Sequence, residues 1–191
     1  MALEADVLVE NFRVGKMDEW GLGYDDLGAE NPGLVYCSIS GYGQDGPYRD
    51  RPAYDLLMQA EGGLMSITGE PGRPPVRVGV AIADIIAGAY ATQSILAALL
   101  DRELAGGGGE YIDVSLFDSI VAFQTYMASY YFATGDPPGR MGSQHPTISP
   151  YQAFPTADGY VVVACASENL WPKFCAALDR PDLVDDERFA T

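Results

Sequence analysis

A single histidine, His145, is all the imidazole this chain of 191 residues contains. That scarcity removes whole classes of chemistry: a His-built metal site needs several, and a Ser-His-Asp triad would have to run through that one residue. Cysteine is also sparse. Cys37, Cys165 and Cys175 share no metal-like or framework spacing, so they read as reduced, buried thiols in a cytoplasmic protein. Positive charge is short as well, with 11 Lys and Arg against 27 Asp and Glu and a formal net charge of -16. A nucleic-acid partner recruited by overall charge is therefore not expected. An anionic small molecule would need local clusters, and Arg13 with Lys16, Arg49 with Arg51, and Arg73 with Arg77 are the candidates. No membrane partner is expected either. The longest apolar stretch, 82–100, is interrupted by Asp84, Gly88, Gln93 and Ser94, and residues 1–6 have no basic leader-type start.

What is present is a globular composition, 48% hydrophobic, and enough chain for one sizeable core with a smaller second unit. Residues 6–10 and 34–40 are short β-type runs, the first ended by Asn11 and the second bounded by Asn31-Pro32-Gly33 and Gly41. Short helical patterns at 17–21 and 24–30 lie between them, which predicts a βαβ unit and a parallel sheet. The near-continuous apolar character of the second run predicts a strand covered on both faces. Residues 41–52 form a polar Gly-, Pro- and Tyr-rich loop of a length that often carries function. A helix is predicted over 53–67, interrupted at Gly62-Gly63, and a long one after Asp84 to about residue 104, stopped by Gly106–Gly109. Those four glycines lack the Lys-Ser/Thr of a phosphate loop and lead into a strand at 111–116, so they read as a connector. Residues 117–133 return to helix, and their aromatics read as core. Gly135–Gly139 marks a composition break, and a hairpin is predicted where 151–155 and 160–166 flank Ala157-Asp158-Gly159. The expected organisation is an α/β chain with a Rossmann-like parallel-sheet domain over 1–135, a linker over 136–150 and part of a smaller α+β domain over 151–191.

Asp84 is the residue that most needs explaining, because it places a carboxylate in an almost wholly apolar run, and burying a charge is costly unless something compensates it. Two readings stand. Asp84 caps the helix that follows it by accepting bonds from the first free amides, or those amides orient an ionised carboxylate for attack on an electrophilic carbonyl. Asn11-Phe12 follows a strand, where open α/β sheets place ligands, although a turn-forming Asn beside a packed Phe accounts for it equally. Asp55 opens a helix, where it favours the positive helix end, and its nearness to the 41–52 loop hints at a site wall.

Several segments taken together carry a family resemblance. They are Glu10-Asn11-Phe12-Arg13-Val14-Gly15, Ser38-Ile39-Ser40-Gly41-Tyr42-Gly43-Gln44-Asp45-Gly46-Pro47, Arg51-Pro52-Ala53-Tyr54-Asp55, the Asp84 segment and His145-Pro146-Thr147-Ile148-Ser149-Pro150-Tyr151. In this order they resemble the class III (CaiB/BaiF type) CoA-transferases, the family of formyl-CoA transferase, the carnitine CoA-transferases and α-methylacyl-CoA racemase. The resemblance implies that Asp84 is the nucleophile. It would react with an acyl-CoA to give a mixed anhydride, then an aspartyl-CoA thioester, from which CoA passes to a carboxylic acid acceptor. It also implies that Asn11, Phe12 and Arg13 contact CoA, that Arg51 and Tyr54 stand at the active-site wall, and that no cofactor is permanently bound, coenzyme A and acyl-CoA being substrates.

Departures from the family pattern sharpen the expectation. The racemase branch carries a catalytic His where this chain has Tyr54, and tyrosine is a poor base at neutral pH, so transfer is favoured over epimerisation of a 2-methylacyl-CoA. Around Gly142-Ser143-Gln144-His145 the chain lacks the tetraglycine loop of formyl-CoA transferase and resembles the branch acting on succinyl-CoA and dicarboxylates. Family members carry further segments on both sides and form interlocked homodimers. The chain therefore reads as an internal fragment, for which CoA binding without turnover is the remaining alternative.

Overall fold

Val7–Glu10 (β1), Val35–Ser40 (β2) and Glu110–Ser115 (β3) form one parallel sheet in the order β1-β2-β3 in the computed structural model, which describes residues 1–189. Between β1 and β2 run two short helices, Lys16–Glu19 (α1) and Tyr24–Glu30 (α2). Asp55–Glu61 (α3), Leu64–Ile67 (α4) and the long helix Ile82–Leu100 (α5) separate β2 from β3. Leu116–Phe123 (α6) and Tyr126–Thr134 (α7) follow β3. The β-type runs and the intervening helical patterns thus fold as the expected parallel crossover arrangement, since parallel neighbours cannot be joined by a tight turn.

The middle strand β2 is buried on both faces, as its apolar run predicts. One face presents Cys37 and Ile39 beside Ile112 and Val114 of β3, and α5 covers it with Ala87 and Ala91. Ala83, Ala87 and Ala91 recur every fourth residue, and all three are buried. Small side chains at that spacing let a helix lie close against a sheet. The opposite face carries Tyr36 and Tyr111 in register, with the ring of Tyr24 from α2 against both. A second cluster joins Met58 and Leu64 to Ala83, Ile86 and Ile120, and so ties α3, α4 and α6 to the start of α5. Gly62 makes that junction possible, because a Cβ there would overlap the Ile120 side chain and stand 2.8 Å from the Met58 carbonyl oxygen.

Three expectations are corrected. The 117–133 helix is broken in two by Gln124 and Thr125, the latter at φ 47°, in left-handed backbone. The aromatics beyond the break are not core: Tyr126, Tyr130, Tyr131 and Phe132 are all exposed, and α7 has no buried residue. Continuing through a π-helical turn at Asp101–Ala105, the helix from Ile82 reaches 24 residues at mean hydropathy 1.5, long and apolar enough by length and composition to cross a membrane. The interruptions at 84, 88, 93 and 94 are too mild to prevent that, and a helix packed on a sheet through alanines passes the same test.

The chain divides into two compact units, Met1–Ile67 with Pro75–Pro138, and Thr68–Pro74 with Gly139–Thr191. In the second unit Tyr151–Pro155 (β4) and Tyr160–Ala164 (β5) pair as the expected antiparallel hairpin, closed by the Thr156 N–H donating to the Gly159 carbonyl at 2.8 Å. Trp171–Ala177 (α8) follows and buries Cys175. Cys37, Cys165 and Cys175 are all free and buried.

Candidate functional site

β1 and β2 both end at one end of the parallel sheet, where open α/β sheets hold their ligands. The turn after β1 (Asn11 to Arg13), the loop after β2, the start of α3 and the first turn of α5 surround a cleft of about 610 Å³ there. All six residues singled out from the sequence line it: Asn11, Phe12, Arg13, Arg51, Tyr54 and Asp84.

Asp84 is the third residue of α5, and it is not the cap. Ala81 holds the cap position without a side-chain bond, and the Ala83 N–H donates to Asp55 Oδ1 at 2.9 Å. Capping of its own helix by Asp84 is thereby overturned: the acceptor comes from α3, 28 residues earlier. Among the described residues no donor reaches the Asp84 carboxylate. Asp84 is not the buried charge its apolar run suggests but an exposed one; partial desolvation at the cleft wall first, and the negative charge of Asp55 second, hold its carboxyl above the ordinary carboxylate range. The positive end of the helix macrodipole still favours the anion. A carboxylate that accepts from no protein donor has no bond within the protein to break when it attacks.

Asp55 opens a helix and lines the cleft, as the sequence suggests, but its hydrogen bonds were not legible there. Its oxygens serve α5 and Gln59, whose Nε2 donates to Asp55 Oδ2 at 2.7 Å. The available signal was Gln59 itself, a polar side chain in the apolar run Leu56-Leu57-Met58-Gln59-Ala60 and one helical turn after Asp55.

A buried carboxylate anchors the turn after β1. Glu10, the last residue of β1, accepts from the Phe12 N–H at 2.7 Å and from the Ser38 hydroxyl. Ser38 in turn accepts from Gln44 Nε2 at 2.6 Å, and the Gln44 N–H donates to Asp113 Oδ2 at 2.8 Å. Glu10, Ser38 and Asp113 are register partners across β1, β2 and β3, so one polar row of the sheet anchors both the 11–13 turn and the start of the 41–52 loop. Phe12 is half exposed, its ring edge-on to Trp20 at 5.1 Å between centroids, and so it is not a packed core residue. Arg13 forms no ion pair among the described residues.

Arg51 is placed by two side chains, one of them held by a third. Its guanidinium lies 4.3 Å from the centroid of the Tyr48 ring and 3.9 Å from Glu61, and Glu61 accepts from the Tyr42 hydroxyl at 2.9 Å. Tyr54, at the cap position of α3, is 73% exposed at the cleft wall. Gly41 lets this wall close on the sheet, since a Cβ there would collide with the Ala53 side chain. Arg13, Lys16, Arg49 and Arg51 line this cleft together with Glu19, Asp50, Asp55 and Asp84, and Lys16 pairs with Glu19 and Arg49 with Asp50. Chemically it offers the guanidinium of Arg13 for an anionic ligand and, in Asp84, a carboxylate that no donor among the described residues holds. His145 lies in the second unit, where its Nδ1 accepts from the Thr147 N–H at 3.2 Å and its ring stands against Tyr151.

Comparison with known proteins gives this geometry a family. Residues 1–191 match CoA-transferase family III. A succinate–glutarate CoA-transferase of Agrobacterium fabrum is 43% identical over 187 residues, 98% of this chain and 46% of the relative. An acetyl-CoA:oxalate CoA-transferase of Acetobacter aceti is 42% identical over 190 residues, 99% of this chain and 49% of the relative. The crystal structure of a CaiB/BaiF family protein from Brucella suis superimposes with TM-score 0.84 at 45% identity, covering 100% of this chain and 50% of that one. The chain thus spans about half the length of the relatives it matches. With the family match over residues 1–191, the shared fold and identities above 40%, the chain belongs to CoA-transferase family III.

Proposed function

We propose that the protein transfers coenzyme A from an acyl-CoA donor to a carboxylic acid acceptor, with Asp84 as the covalent nucleophile and dicarboxylic acids as the substrate class. The observation that carries this reading is the Asp84 carboxylate, unliganded at the wall of a cleft that gathers Arg13 and Arg51. Relatives named for succinate and glutarate and for oxalate support the dicarboxylate class.

The steps balance without water or an external base, because a carboxylate is ionised at neutral pH in most settings. An Asp84 oxygen attacks the thioester carbonyl, the C–S bond breaks, and a mixed anhydride forms with CoA thiolate. The thiolate attacks the aspartyl carbonyl, expelling the donor as its free carboxylate and leaving an aspartyl-CoA thioester. The acceptor carboxylate attacks that thioester, giving a second anhydride and releasing the thiolate again. Thiolate attack on the acceptor acyl carbon yields the new acyl-CoA and restores the Asp84 carboxylate. Arg13 and the Asn11-Phe12 turn suit the anionic, aromatic CoA moiety, and Arg51 with Tyr54 suits the acid end of the substrate.

Trapping tests the pathway. Incubation with succinyl-CoA and then hydroxylamine converts an acylated aspartate into its hydroxamate, and peptide mass spectrometry is expected to find that mark at Asp84. Turnover with no mark there would remove the mechanism. Epimerisation of a 2-methylacyl-CoA predicts solvent deuterium at the substrate α-carbon, and with Tyr54 in place of a basic residue none is expected. The half-length match supports a second reading, CoA binding without turnover. Saturable CoA binding with no acyl transfer to glutarate would favour it, and transfer by the 191-residue chain would exclude it.

A further inference from the structure

Asp55 and Gln59 form a bracket around the start of α5 that the transfer steps do not use. Gln59 is fully buried, and a buried amide has to place its donor and its acceptor on different partners. Its Nε2 donates to Asp55 Oδ2 at 2.7 Å, and its Oε1 accepts from the Val78 N–H at 2.8 Å. Asp55 Oδ1 accepts from the Ala83 N–H at 2.9 Å. These three bonds clamp the segment leading into α5 and the first turn of α5 onto α3. The next residue is Asp84. Ala81, at the cap position, has no side-chain acceptor to replace Asp55 there.

We propose that Asp55, braced by Gln59, is the positioning residue for Asp84, holding the first turn of α5 so that the Asp84 carboxylate stays at the cleft wall without accepting a bond itself. The proposal rests on the reading of Asp84 as the acylated nucleophile. Its chemical logic is that an acceptor capping the helix from outside frees the carboxylate inside it: the Ala83 amide is satisfied by Asp55, so Asp84 need not fold back onto its own backbone. The negative charge of Asp55 acts in the same direction, because it keeps the neighbouring carboxylate from being over-stabilised as an anion.

A polarity swap tests it. Asp55→Asn keeps an oxygen for the Ala83 N–H but turns an amide donor toward the Gln59 amide, so one buried donor loses its acceptor. The double variant Asp55→Asn with Gln59→Glu reverses the pair and restores all three bonds: the new amide donates to the new carboxylate, whose other oxygen accepts from the Val78 N–H. Two quantities are read in the protein and both variants: the rate at which succinyl-CoA acylates Asp84, and the hydrogen exchange of the Val78 and Ala83 amides. Expected results are roughly 100-fold slower acylation in the single variant, with KM for succinyl-CoA changed far less, faster exchange of both amides, and recovery of both readouts in the double variant. Acylation at the unsubstituted rate in Asp55→Asn, or failure of the double variant to recover it, would overturn the proposal. If the unsubstituted protein forms no adduct, the transferase reading fails separately. Amide exchange then decides the bracket alone, with loosening that the swap reverses in its favour and unchanged exchange against it.

Discussion

At position 84 a single carboxylate carries two opposing demands, and both are measurable. Partial desolvation at the cleft wall and the charge of Asp55 raise the pKa of this exposed side chain above that of the unfolded chain. A carboxylate shifted in that direction binds its proton more tightly when folded, so its contribution to stability is present below the unfolded pKa of about 4 and is lost as pH rises through the folded value. Above that window the ionised side chain opposes folding. Asp84→Asn is therefore expected to melt higher than the unsubstituted protein at pH 7, with the difference vanishing in acid, while acyl transfer falls about 1000-fold or more. Equal melting temperatures across the pH range would show that the carboxylate is not strained, and retained transfer would show that it is not the nucleophile. The sequence pointed to this residue because a charge in an apolar run demands an explanation. It left capping and nucleophilic roles open, and the choice against capping required a bond from Asp55 that no local pattern announces.

Elements were legible where hydrophobic period and punctuation agreed. β1, β2, β3 and the hairpin of β4 with β5 follow from short apolar runs between Gly, Pro and Asn, and α5 follows from the long apolar run around Asp84 and the glycines after it. The break between α6 and α7 had no such mark, since left-handed backbone at Thr125 is an outcome of packing. The aromatics of α7 misled for a related reason, because composition reports that a face is apolar and not what covers it. Two substitutions probe the elements that frame the cleft. Glu10→Ala leaves the Phe12 N–H and the Ser38 hydroxyl without their acceptor, and a loss of about 2–4 kcal/mol is expected in urea unfolding, with weakened CoA binding as the 11–13 turn loosens. Gly62→Ala forces a methyl group against Ile120 and is expected to cost about 1–3 kcal/mol in the same measurement. Either change proving neutral would mean that these contacts do not hold the elements as described.

Over the whole molecule, a formal charge of -16 and the Arg13 guanidinium at the cleft act against each other on an anionic ligand. Distant charges are screened within about 10 Å at 0.1 M salt, so the general repulsion weakens with added salt faster than the contacts inside the cleft do. Melting temperature is expected to rise from low ionic strength to roughly 0.5 M sodium chloride as self-repulsion is screened. Arg13→Ala is expected to weaken CoA binding by about 10-fold by calorimetry without changing that salt dependence of melting. A melting temperature that falls with salt would indicate that local ion pairs outweigh the net charge. The sequence revealed the charge excess and the three basic clusters. Which cluster reaches the cleft depended on the loop after β2 folding back beside the 11–13 turn.

Oxygen transfer tests the central claim most directly. In the proposed cycle the acceptor carboxylate joins its oxygen to the aspartyl carbonyl, and that oxygen remains on Asp84 when the new thioester leaves. With succinyl-CoA and glutarate carrying the heavy oxygen isotope in its carboxylates, mass spectrometry of the peptide holding Asp84 is expected to show label accumulating with turnover. Transfer of CoA to glutarate with Asp84 left unlabelled would contradict the account.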